Sequence, residues 1–98
     1  MKIEHLEREA LIRWIVESPT YRVDFWRTVA PADPAAESIA TGYKQESYYV
    51  KDADADEVIR WAESEASGRE VVVYLSMTRQ NGEPGLIRLT GEDPTRTA

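Results

Sequence analysis

Apolar side chains recur at intervals of three and four along the first sixteen residues. Ile3, Leu6, Ala10, Leu11, Trp14 and Ile15 fall on one stripe of a helix over 3–16. Glu4, Glu7 and Glu9 lie toward its start, where the backbone dipole favours negative charge. Ser18-Pro19 ends it, because the residue before a proline is pushed out of the helical region. The β-branched Ile12, Ile15 and Val16 would also suit a strand in the second half.

From 21 to 29 the period changes to two. Tyr21, Val23, Phe25 and Val29 take one face of a strand; Arg22, Asp24, Trp26 and Thr28 take the other. Pro31, Asp33 and Pro34 mark 30–41 as a loop. A second strand over 43–51 alternates less cleanly, since Tyr48, Tyr49 and Val50 are consecutive. Asp54 then offers an N-cap with Glu57 three residues on, and Val58, Ile59, Trp61, Ala62 and Ala66 form the apolar face of a helix closed by Gly68. The segment 70–78 is apolar on both faces, as an interior strand is. Asn81-Gly82 predicts a hairpin turn, with 86–90 as the returning strand.

This order, α-β-β-α-β-β, predicts an α+β fold: a four-stranded, mainly antiparallel sheet with two helices on one face. It implies one globular domain over 1–91, with the polar residues 92–98 as a flexible tail. The opposite face of the sheet is left open. Phe25 and Trp26 are neighbours on a strand, so they point to opposite sides. With Phe25 under the helices, Trp26, Tyr49, Val72 and Tyr74 become the candidate binding residues of the open face. Trp14 and Trp61, on helical apolar stripes, belong to the core.

Composition narrows the function classes. The 42% hydrophobic and 31% charged content describes a folded domain and not a disordered one. No apolar run approaches the ~20 residues of a membrane span. Acidic residues at the N-terminus, in place of a signal peptide's basic and apolar regions, and the lack of cysteine predict a cytoplasmic protein without disulfides or zinc-thiolate sites. Nine Arg against three Lys, with frequent Ala, fit a bacterial genome of high GC content. The net charge of -6, with basic residues spread singly, argues against nonspecific binding of nucleic acid or anionic membrane.

Candidate chemistry is sparse. Counting from Asp52, the run Asp52-Ala53-Asp54-Ala55-Asp56-Glu57 and Glu63 match several ligand offsets of an EF-hand-type calcium loop. Glu57 replaces the required glycine, and a strand precedes the run where a helix belongs, so Asp52, Asp54, Asp56 and Glu57 read as the capped, acidic start of a helix. His5 stands alone without a partner for base catalysis or metal binding. Glycines 42, 68, 82, 85 and 91 are scattered at turns and build no phosphate loop. The sequence therefore predicts no catalytic residue, metal or cofactor. It predicts a small non-enzymatic binding protein that acts through the open sheet face on a protein partner or on itself, as a homodimer. A rival reading is an acidic inhibitor or immunity-like protein that blocks a basic partner through the Asp52–Glu57 carboxylates. An enzyme is the third.

Overall fold

A computed structural model describes residues 1–7, 12, 14–29 and 42–96. Among them the order is β1 (Thr20–Val29), β2 (Gly42–Val50), α1 (Ala55–Glu65), β3 (Glu70–Thr78) and β4 (Pro84–Thr90). The strands form one antiparallel sheet in the order β2-β1-β3-β4, so the two hairpins meet through their first strands at the centre. The fold is an α+β open sheet with one helix among the described residues.

The period-two segment becomes the central strand. Tyr21, Val23 and Phe25 are buried beneath α1, which sets Val58 and Ala62 on them, and Val73 of β3 completes the cluster. Each large apolar side chain so buried contributes about 1.5–3 kcal/mol, which makes this cluster the main source of stability. The helix begins at N-cap Asp54, in extended backbone, whose N–H donates to the Glu57 carboxylate at 3.2 Å. It ends through two left-handed residues, Ser67 and Gly68. Arg69 then folds back: its guanidinium donates to the carbonyls of Glu65 (2.7 Å) and Ala66 (2.9 Å) and lies 4.3 Å from the centre of the Phe25 ring. One side chain thus satisfies orphan helix carbonyls and ties the helix end to the sheet. The Asn-Gly turn also forms. Arg79 N–H donates to the Glu83 carbonyl and Gly82 N–H to the Arg79 carbonyl, with Gly82 left-handed.

Three expectations change. The helix over 3–16 is not present in residues 1–7, 12 and 14–16, which have no regular structure and are exposed; Ala10, Leu11 and the 30–41 loop lie outside the described residues. An amphipathic helix is stabilised mainly by burying its apolar stripe, and Ile3, Leu6, Trp14 and Ile15 all remain exposed here. Trp14 and Trp61 are accordingly exposed rather than core residues. Trp61 instead leans edge-on against Phe25 and Tyr48. The third change concerns the face opposite α1, whose centre is closed: Asp24 is 3% exposed and Val72 has no exposed surface. Residues 91–96 return beside this region. Gly91, at φ 87°, lies so close to β3 that a Cβ there would stand 2.1 Å from the Val71 carbonyl oxygen. Asp93 accepts from the N–H and hydroxyl of Thr95 (2.8 and 2.6 Å), so the described part of the tail is a hydrogen-bonded turn.

Candidate functional site

On the face opposite α1, alternation sets Arg22, Asp24 and Trp26 of β1 between Tyr49 of β2 and Val72 and Tyr74 of β3. Arg22 pairs with Tyr49 on one side and Tyr74 on the other. Its Nε donates to Asp24 Oδ1 at 2.9 Å, and that bond raises the guanidinium's pKa against the opposing effect of burial. Burial, with Asp24 and Asp93 nearby, pushes the Tyr74 phenol up as well. A charged pair in the middle of a strand is therefore held as a structural unit, and Val72 beside it is interior. Val72 cannot serve as a contact residue because it presents no surface. Trp26 is half-buried, edge-on to Tyr43, and its indole nitrogen is buried without a hydrogen-bond partner among the described residues. Tyr49, 67% exposed, is the one member of the expected set that stands well clear of the surface.

The acidic run is divided by the helix start. Asp52 adopts a left-handed backbone, Asp54 is the N-cap, Glu57 accepts from its N–H, and Asp56 lies 3.9 Å from Arg60. Because α1 runs from Ala55 to Glu65, the would-be calcium loop is mostly helix. No group of three or more His, Cys, Asp or Glu side chains converges on a metal-sized site among the described residues.

The helix side carries the more open apolar surface. Over β2 and β1, Phe25, Tyr48 and Trp61 form a triangle of edge-to-face rings with centroids 5.8–5.9 Å apart. Glu46 braces its rim, accepting from the Tyr48 hydroxyl (2.5 Å) and from Arg69 (3.1 Å). The Tyr48 bond, with help from Arg69, holds the Glu46 carboxyl below its ordinary range, and the same bond pushes the Tyr48 phenol up. Over β3 and β4 no helix lies among the described residues. Leu75 and Met77 of β3 and Leu89 of β4 line a groove of about 530 Å³ that reaches from Ala55, at the helix start, to Trp14, Ile15, Val16 and Pro19. Ile87, paired with Leu75, continues this surface to the sheet edge and is exposed.

The sequence held a signal for this groove. Leu86, Ile87 and Leu89 leave β4 without the polar alternation expected of an outer strand. Arg69 had no comparable signal, since a lone basic residue after a helix announces neither a ring nor a carboxylate partner. No protein-family model matches the chain, and the searches of curated proteins and of solved structures gave no match.

Proposed function

We propose that this chain is a small non-enzymatic interaction domain, and that its working surface is the β3–β4 half of the helix side. One observation supports this most: Leu75, Met77 and Leu89 line an apolar groove beside α1 that no helix of the described residues covers, and exposed Ile87 extends it to the sheet edge. Contiguous apolar surface of this kind marks docking sites in water-facing domains. The buried pair Arg22–Asp24 leaves the opposite face a smaller role, restricted to Tyr43 and Tyr49 at its β2 margin. The acidic run has its own structural work at the start of α1.

The experiment is a retention assay with the intact tagged chain as bait, against untagged copies of itself and against extract, washed at high salt. Apolar docking survives the salt, whereas a carboxylate surface releases its partner. Leu89→Lys is expected to abolish retention, and Asp54→Asn with Asp56→Asn to leave it intact. Retention that is indifferent to Leu89→Lys but lost with the two asparagines would overturn the reading in favour of the acidic surface.

A further inference from the structure

Basic residues that the sequence spreads singly meet at one place in the fold. Arg27 of β1, Lys44 of β2 and Arg69 after α1 line a pocket of about 490 Å³, together with Phe25, Glu46 and Ser67. Alternation puts Arg27 on the same face as Phe25, and the β1–β2 register sets Lys44 directly opposite Arg27. Like charges facing each other across neighbouring strands repel, and neither of these two forms an ion pair among the described residues. The other charged members of the lining are satisfied. Arg69 donates to Glu46 at 3.1 Å and to the carbonyls of Glu65 and Ala66, and Glu46 also accepts from Tyr48. Arg27 and Lys44 are left as the donors that face the pocket without such a partner.

We propose that this pocket binds a small phosphomonoester, with its phosphate held between the Arg27 guanidinium and the Lys44 ammonium. Charge selects the ligand class. Three cations against one carboxylate give the lining a net charge of +2, which a phosphate dianion matches and a single carboxylate does not. The whole chain carries -6, so its remaining residues sum to -8; that field repels an extended polyanion and leaves a compact anion as the fitting guest. Volume points the same way. Pockets for small organic molecules start at about 300 Å³, so this one has room for an organic body beside the phosphate, next to Ser67. The site goes beyond the proposed association surface and is separate from it: Tyr21, at the opposite end of β1 from Arg27, lines the β3–β4 groove.

NMR titration of the isotope-labelled full-length chain at constant ionic strength tests this with three probes. Phenyl phosphate carries both the dianion and an organic body, inorganic phosphate only the dianion, and benzoate a body with a single charge. Phenyl phosphate is expected to give saturable shifts at Arg27, Lys44 and Ser67, inorganic phosphate weaker ones at the same residues, and benzoate the weakest. Arg27→Gln and Lys44→Gln lie at exposed strand positions, and thermal melts verify that both variants stay folded. Each should weaken phenyl phosphate roughly tenfold, as loss of a charged hydrogen-bond partner does. No saturable shift with phenyl phosphate would overturn the proposal. So would unchanged affinity in both variants, or benzoate bound as tightly as phenyl phosphate.

Discussion

The two halves of the sheet's helix side are made of similar residues and meet opposite fates. Under α1, Val23, Phe25 and Val73 are fully buried by Val58 and Ala62, and Arg69 fastens the edge. Over β3 and β4, Met77, Ile87 and Leu89 have no helix over them among the described residues, and Leu75 is only partly buried at the edge of the core. Hydrophobicity alone does not distinguish core from interface. What separates them is whether the chain supplies a second layer at that place, and an 11-residue helix reaches only part of the way across four strands. The covered half holds the core; the other half has no helix over it among the described residues.

Substitutions can break this contrast. Phe25→Ala removes the ring at the centre of the covered half and should cost about 3–5 kcal/mol, measured by chemical denaturation. Gly91→Ala tests the close approach of the chain after β4 to the β3 backbone at Val71. Its left-handed backbone and the close Val71 carbonyl predict a loss of about 3 kcal/mol; a neutral result would mean that this approach is not fixed. Arg69→Ala removes a helix cap, an ion pair and a ring contact together and should cost about 1–2 kcal/mol. By contrast, Leu89→Ala in the β3–β4 half should change monomer stability by less than about 1 kcal/mol, and a loss as large as that of Phe25→Ala would erase the distinction.

The smallest effect is one of pH. Glu46 has its carboxyl pKa lowered in the folded chain by the Tyr48 hydroxyl and Arg69. Its stabilising contribution is therefore complete above the ordinary carboxylate range and lost as pH falls through the folded value. A Glu46→Gln variant should melt below wild type at neutral pH and converge with it in acid. A constant difference across that range would show that the carboxylate's charge is irrelevant to the clamp.

Local rules made much of this fold legible in the sequence. The alternation of Tyr21, Val23 and Phe25, the cap and acceptor at Asp54 and Glu57, the doubly apolar 70–78 and the Asn81-Gly82 turn depend on neighbours a few residues away, and each is found where its pattern predicts. The candidate site depended on non-local facts. A helical stripe at Ile3–Ile15 states which side is apolar but not whether a floor exists for it within the same chain. The outward set Trp26, Tyr49, Val72 and Tyr74 follows from alternation, but alternation does not reveal that Asp24 is sealed beside Val72 and bonded to Arg22. The same blindness placed Trp61 in the core, when the helix it rides on carries it to the sheet's β2 margin against Tyr48.

The central claim is that the β3–β4 half is an association surface and the half under α1 is not. Solvent accessibility of individual side chains, read by NMR with a soluble paramagnetic agent over a dilution series, tests it directly. The account predicts that Leu75, Met77, Ile87 and Leu89 relax strongly in the dilute monomer and become protected as concentration rises, while Val23, Phe25, Val58 and Ala62 stay protected throughout. Protection of the Leu75–Leu89 floor that is the same at every dilution, in samples that sedimentation finds monomeric, would contradict it.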